Sequence, residues 1–335
     1  MKILITGAAG FVGFHLAERL APEHAIVGLD NINDYYETSL KYGRLQESGF
    51  ETSKIDDGEI IESNTHPGYR FIKADLADKE AIFGLYRQEQ FDLVIHLAAQ
   101  AGVRYSIDRP DAYLQSNLVG FHNIVEACRH YDVRRLIYAS SSSVYGNTKE
   151  TPFLETQPVD YPISLYAATK KSNELVAHVY SHLYGIQMTG LRFFTVYGEW
   201  GRPDMAYFKF VRKILNGESI DVYNKGHLER DFTYIADIVD GIERMVNHPT
   251  SEPYKVYNIG NSKPLNLLDF IETIESELGR KAEKVMKPMQ PGDVYTTYAN
   301  TSRLEQDFGY KPSTDFRDGV RRFIKWYRDY YGLKG

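Results

Sequence analysis

Tyr166 and Lys170 stand four residues apart in the segment Tyr166-Ala167-Ala168-Thr169-Lys170. On a helix that spacing puts both side chains on one face. A tyrosine hydroxyl ionises near ~10 and is a poor base at neutral pH. A neighbouring ammonium, helped by a positively charged ring if one binds there, favours the phenolate and turns the pair into a general base. Ser140, Ser141, Ser142 and Ser143 come directly after the apolar run 134–139. At the C-terminal end of a buried strand, where open α/β sheets place ligands, successive hydroxyls can donate to a polar substrate. Otherwise they form a serine-rich turn into Val144-Tyr145-Gly146.

A second constellation sits at the N-terminus. Gly7-Ala8-Ala9-Gly10-Phe11-Val12-Gly13 has the spacing GxxGxxG and comes directly after the apolar run 2–6. Gly7 and Gly10 allow a tight turn that brings backbone N–H groups onto a pyrophosphate. Gly13 lets the next helix pack closely on the sheet. The run 25–30 ends in Asp30, 23 residues after Gly7. A carboxylate there accepts hydrogen bonds from the adenosine ribose and repels a 2′-phosphate, which favours NAD over NADP. Asn31 and Asn33 can assist. Asp75-Leu76 suits contact with the adenine ring, with a helix cap as the alternative for Asp75. Leu97-Ala98-Ala99 ends another strand with small residues that let a cofactor approach the backbone.

These positions need elements to hold them. Short apolar runs at 2–6, 25–30, 69–73, 92–97, 134–139 and 187–193 read as buried strands. Helical patterns at about 11–20, 79–89, 111–130 and 165–184 separate them. The alternation predicts a Rossmann-type, doubly wound parallel sheet. The polar stretch 48–68 breaks the rhythm and reads as a surface excursion or hairpin. Beyond residue 195 helices are expected at 204–216, 237–247, 266–278 and 315–331, with extended pieces at 219–223 and 255–259. The expected division is a dinucleotide-binding and catalytic domain over 1–195. A smaller, mainly substrate-binding region covers 196–335, with segments at about 230–262 returning to the main domain.

The chain has 335 residues and a formal net charge of −6, which argues against a general nucleic-acid binder. Cys128 is the single cysteine, so an internal disulfide and a cysteine-based zinc site are excluded. It reads as buried filler. The histidines show no metal-ligand spacing, His96 reads as a core residue, and no metal is expected. No stretch reaches the roughly 18 apolar residues of a membrane span. The apolar run from Lys2 to Phe14 reads as a strand and a helix start rather than a leader, so a cytoplasmic protein is expected.

Taken in order, GxxGxxG, LAAQ (97–100), SSSSVYG (140–146), YxxxK and LRFFTVYG (191–198) resemble the extended short-chain dehydrogenase/reductase family, specifically its nucleotide-sugar epimerases and dehydratases. The resemblance covers nearly the whole chain. DNINDYY (30–36), AAQAGVRYS (98–106), YGEWGRPDMA (197–206), RDFTYIADI (230–238) and PMQPGDVYTTYA (288–299) place it nearest the branch that 4-epimerises UDP-glucuronate. That likeness implies tightly held NAD, regenerated in each cycle, and a transient 4-keto sugar with no net oxidation. It implies Tyr166 as the base at the sugar O4 and Lys170 on the nicotinamide ribose, lowering the tyrosine pKa. Ser141 would hydrogen-bond the same sugar oxygen, and Arg230 and Asp293 would lie at the uridine diphosphate. Gln290 stands where galactose-type relatives carry an arginine, so a diphosphate contact must move elsewhere. Asn117 would support the backbone near the site, and Arg104 and Tyr105 would close over the sugar. Helices 111–130 and 165–184 would pair across a homodimer, although burial within one chain explains them equally.

The subclass rests on the two residues after Ser141. The 4,6-dehydratases carry Asp-Glu at these two positions and UDP-glucuronate decarboxylases usually a glutamate at the second; here they are Ser142 and Ser143. Hydroxyls at both places, with Thr195, suit a C6 carboxylate. A 4-keto uronate is a β-keto acid, so its carboxylate must be held out of line with the carbonyl π system. Arg192 is the first candidate for the arginine that does this and Arg202 the second. A core salt bridge for Arg192 and a surface turn for Arg202 are the alternatives. The competing activities are 4-epimerisation of neutral UDP-hexoses or UDP-N-acetylhexosamines and, further off, decarboxylation of UDP-glucuronate. A non-catalytic NAD-sensing protein on the same fold stands as the other class.

Overall fold

Strands buried on both faces distribute alternate side chains to two cores. In the computed structural model, which describes residues 1–289 and 294–333, the first strand does this plainly. Ile3 and Ile5 enter one core and Leu4 the other. Gln290 and Asp293, expected near the uridine diphosphate, lie outside the described residues.

Along the first half run β1 (Lys2–Thr6), α1 (Phe11–Leu20), β2 (Ala25–Asp30), α2 (Thr38–Glu47), β3 (Ile60–Glu62), β4 (Tyr69–Lys73), α3 (Lys79–Glu89), β5 (Leu93–His96), α4 (Tyr105–Asp108) and α5 (Pro110–Tyr113). A π-helical stretch, Leu114–Val119, leads into α6 (Gly120–His130), and β6 (Arg135–Ser141), α7 (Leu165–Tyr184) and β7 (Gln187–Phe193) come next. The second half adds β8 (Thr195–Tyr197), α8 (Ala206–Leu215), β9 (Ile220–Tyr223), β10 (Glu229–Tyr234), α9 (Ile235–Asn247), β11 (Tyr254–Ile259), β12 (Pro264–Asn266), α10 (Leu267–Leu278), β13 (Lys284–Lys287), α11 (Ser302–Phe308) and α12 (Phe316–Tyr330).

The main sheet has the order β11-β7-β6-β5-β1-β2-β4-β3. All its pairings are parallel except β3 with β4. The polar excursion therefore yields an antiparallel edge strand, joined to β4 as a hairpin. Apolar faces of α1 and α9 cover one side of the sheet; α3, α6 and α7 cover the other. β1 lies between β2 and β5, so the chain's course reverses there and opens a crevice at the strands' C-terminal ends. β11 pairs with β7 and so rejoins the main sheet from the second half. β8, β10 and β12 form a small sheet, and β9 pairs with β13.

Sequence periodicity gives no sign of α2. Its buried positions are Leu40, Lys41, Arg44 and Leu45, so half of its inward face is cationic and no apolar stripe exists. β8, β10, β12, β13 and α11 also go unread, being short, three to seven residues each. Among the described residues no helix is long and apolar enough to cross a membrane.

Candidate active site

A cavity of about 640 Å³ opens over the C-terminal ends of β1, β2, β5 and β6. Gly7, Gly10, Phe11, Val12 and Gly13 line one wall. Gly7 adopts φ +77°, and a Cβ there would lie 2.8 Å from the Ala98 nitrogen. The turn after β1 therefore packs on the small residues ending β5. α1 begins at Gly10 with no side-chain cap, leaving its N-terminus to a ligand. These features fit a dinucleotide pyrophosphate.

Asp30, Asn31, Asn33, Asp75 and Leu76 line the far end of the cavity. Asp30 Oδ1 accepts from the Ile32 amide at 2.8 Å. The Lys41 ammonium lies 3.8 Å from Asp30 Oδ1 and donates to Asn33 Oδ1 at 2.9 Å. Asn31 Nδ2 donates to Asp75 at 3.1 Å. Asp75 is not the cap of α3; Asp78 fills that role, accepting from the Ala81 amide. Lys41 went unread because its helix did.

Leu97, Ala98, Ala99, Ser141, Ser142, Ser143, Tyr166, Lys170 and Thr195 all line the same cavity. Tyr166 sits in the first turn of α7, whose cap Ser164 accepts from the Ala167 amide. Burial pushes the Tyr166 hydroxyl above its ordinary value, while the Ser141 hydroxyl and the charge of Arg202 pull it back. Arg202 is thus a second cation beside Tyr166, in addition to the Lys170 expected from helical spacing. Lys170 donates to the Ala139 carbonyl at 2.8 Å, and burial lowers its pKa to about 8. Ser141 Oγ also accepts from the Ser143 amide and lies 3.1 Å from Ser143 Oγ. Ser140 also lines the cavity, and its hydroxyl donates to Glu174 at 2.7 Å. Asn117, within the π-helical stretch, accepts from the Gln100 amide and donates to Gln100 O and Thr169 Oγ1. It thereby ties the β5 exit loop to α7.

The arginines separate. Arg192, the first candidate for a carboxylate, is 3% exposed and forms a bidentate pair with Glu174, both bonds 2.8 Å. Its third edge donates to Tyr145 Oη at 3.0 Å. With every face committed in the core beneath the sheet end, it does not line the cavity, and the core salt bridge is its place. Arg202, the second candidate, does line it. Its guanidinium pairs with Asp204 (3.0 and 2.5 Å) and lies over the Tyr35 ring. Tyr35 Oη donates to Asp204 at 3.0 Å. Arg104 lines the cavity and stacks on Tyr223. Arg230 does not line it; it donates to the carbonyls of Glu229 and Tyr295. Tyr35, Asp204 and Lys209 are cavity residues that the sequence reading passed over. Asp204 lies inside the YGEWGRPDMA segment, where its spacing from Arg202 was the available signal.

His96 is buried against Thr6 Oγ1 at 2.9 Å, and burial lowers its pKa to about 3. Cys128 is buried beside Tyr86, and its thiol is pushed up to about 12, an unreactive state.

A crevice that pairs a glycine-rich phosphate turn with a serine–tyrosine couple belongs to an enzyme working on a substrate hydroxyl with a nicotinamide dinucleotide. The NAD dependent epimerase/dehydratase family model matches residues 3–260, and the chain belongs to that family. It is 50% identical over 348 residues to Protein CapI of Staphylococcus aureus, covering 99% of each chain. It is 44% identical over 352 residues to the Probable UDP-glucuronate 4-epimerase of Rhizobium meliloti (strain 1021), covering 99% of this chain and 98% of the relative. Among solved structures it matches UDP-glucuronic acid 4-epimerase from Bacillus cereus, in complex with UDP-glucuronic acid and NAD. That match has a TM-score of 0.86 and 31% identity, over 99% of this chain and 100% of the other.

Proposed function

We propose that the chain is an NAD-dependent isomerase that interconverts UDP-glucuronate and UDP-galacturonate at C4 through a transient 4-keto sugar. The carrying observation is that Ser141, Tyr166 and Lys170 line one cavity, in which the two positions after Ser141 are neutral hydroxyls. Bound NAD supplies a reversible hydride acceptor. Tyr166 takes the O4 proton and returns it, and Ser141 hydrogen-bonds the same oxygen. Ser142, Ser143 and Thr195 donate to the C6 carboxylate without adding an acid. Lys170 holds the ribose next to the ring, and Asp30 holds the adenosine ribose. Arg202 fixes the carboxylate plane, exchanging one of its Asp204 bonds for the substrate. Residues 1–195 hold the cofactor and the chemistry; 196–335 mainly close over the nucleotide sugar.

Proton NMR of the purified protein with UDP-glucuronate and no added cofactor tests this. New anomeric and H4 signals of UDP-galacturonate are expected. UDP-pentose would establish a decarboxylase. Turnover of UDP-glucose or UDP-N-acetylglucosamine in place of the acid would establish a neutral-sugar epimerase. A protein inactive on all of them, with NAD added, would be the non-catalytic sensor.

Arg202→Met removes a charge-assisted contact worth roughly 1.5–3 kcal/mol. Epimerisation of UDP-glucuronate is expected to fall by roughly 10- to 100-fold, with a larger share of product appearing as carbon dioxide. Unchanged kinetics on the acid would remove Arg202 from substrate binding.

The proposal includes a cytoplasmic homodimer. Leu175, Val179 and Leu183 recur every four residues on α7 and are 57%, 47% and 60% exposed. Leu114 and Val119, in the π-helical stretch, add to the exposed apolar surface. Leu175→Asp with Val179→Asp is expected to convert a dimer to a monomer in light scattering. A wild-type monomer at micromolar concentration would exclude the dimer.

A further inference from the structure

Arg44, on the buried face of α2, has no part in the chemistry above, yet it reaches loops from both halves of the cavity. Arg44 is 0% exposed. Its guanidinium donates to four neutral oxygens. Nη1 reaches the Ala9 carbonyl and Tyr36 Oη, both at 2.8 Å. Nε and Nη2 reach the Trp200 carbonyl at 3.1 and 2.6 Å, and Nη2 also reaches the Gly201 carbonyl at 3.4 Å. Ala9 lies inside the glycine-rich turn, Tyr36 in the loop after β2, and Trp200 and Gly201 immediately before Arg202. A planar fork with fixed donor directions therefore sets the spacing of three loops that line the site.

The same loop is held at one more point and carries one left-handed residue. His15, on α1, bonds the Glu199 carbonyl at 2.9 Å, so three successive carbonyls are held by side chains from the cofactor half. Trp200 has φ +57°, a left-handed conformation that a bulky side chain adopts only when its surroundings impose it. The double bond from Arg44 to the Trp200 carbonyl is part of what imposes it. Burying a guanidinium with neutral partners alone is costly, and such a cost is retained where geometry is the return.

We propose that Arg44 is a positioning residue: it locks the 199–202 loop to the glycine-rich turn and thereby places the Arg202 guanidinium for the substrate carboxylate. The proposal rests on the uronate reading for its kinetic test. If Arg202 drifts, the 4-keto uronate is free to rotate its carboxylate into line. The C5–C6 bond then breaks, its electron pair passes into the C4 carbonyl, carbon dioxide leaves, and a solvent proton ends at C5.

Arg44→Lys keeps the charge and removes the fork. On NAD-loaded protein with UDP-glucuronate, kcat is expected to fall by roughly 10- to 100-fold, the loss typical of an ~1 Å misplacement. Carbon dioxide released per epimerisation should rise by about tenfold or more, a partition that simple loss of folded enzyme would leave unchanged. Wild-type values for both would overturn the proposal. A second measurement does not depend on the substrate. Amide hydrogen exchange across 199–204 should be faster in Arg44→Lys than in wild type, both loaded with NAD. If the variant does not fold, wild type with NAD removed should exchange faster there than wild type with NAD. Equal exchange in the pair measured overturns the coupling. A wild type that does not act on UDP-glucuronate, but shows the exchange difference, refutes the uronate reading and leaves the coupling standing.

Discussion

Tyr166→Phe is expected to give a folded, NAD-containing protein whose turnover of UDP-glucuronate is lower by roughly 10²- to 10⁴-fold, the range for removal of a positioned general base. The substitution deletes one oxygen and keeps the ring, which lies edge-on to Tyr113 at 6.0 Å, so packing survives. On the proposed mechanism, what is lost is the proton acceptor at O4. Burial alone makes Tyr166 a weaker acid than free tyrosine, so the proposed mechanism relies on the Ser141 hydroxyl, nearby cations and the charge of the bound ring to offset it. Lys170 gives this prediction a pH arm. Its ammonium, brought down by burial to about 8, is lost as the pH rises through that value. Wild-type kcat should therefore decline between roughly pH 7 and 10, as the charge beside the ribose disappears. NAD content measured after denaturation separates a chemical defect from cofactor loss. Full turnover in Tyr166→Phe would require another base.

The main sheet was legible because it is built from one repeated device. Its central strands are short, apolar and buried on both faces, so a run such as Lys2–Thr6 or Gln187–Phe193 carries its own boundaries. The cofactor half was legible for a related reason: its residues lie at strand ends, and strand ends are set by the runs. The substrate half was legible only in part: Arg104, Ser141, Ser142, Ser143, Thr195 and Arg202 line the cavity as expected, but their partners could not be read. Arg202, Asp204 and Tyr35 meet across 169 residues of chain, and no local pattern announces that Tyr35 donates to Asp204. Arg192 failed for the opposite reason. Its position at the end of β7 suggested a site residue, but Glu174 comes up from α7, one turn beyond Lys170, and claims it. α2 was invisible because Lys41 and Arg44 occupy inward positions where a helix signal needs apolar residues. Such departures from the amphipathic rule gather where a fold does something besides pack. Here both cations reach residues that line the cavity or its loops, Lys41 toward Asp30 and Arg44 toward the glycine-rich turn.

Gly13→Ala should empty the site of NAD. A Cβ at Gly13 would fall 2.1 Å from the Gly7 carbonyl oxygen and 2.7 Å from its carbon. The obstacle is backbone, so no side chain can rotate out of the way; either α1 or the turn must shift. Helix propensity pulls in the other direction, since alanine is favoured over glycine inside a helix by about 1 kcal/mol. Overpacking of this kind costs about 1–3 kcal/mol, a modest loss set against a whole domain. The protein should therefore fold with a slightly lower Tm. The shifted turn, however, no longer presents α1 to a pyrophosphate. Gly84 provides the control: it lies within α3 with open space where a Cβ would go. Gly84→Ala should retain NAD and activity and match or exceed the wild-type Tm. Cofactor released by denaturation, measured on both variants, decides the point. NAD retained in Gly13→Ala at the wild-type level would show that the close contact between α1 and the turn yields without cost to the phosphate site. Loss in Gly13→Ala alone ties cofactor retention to that single contact, because the two substitutions add the same methyl group to the same kind of helix.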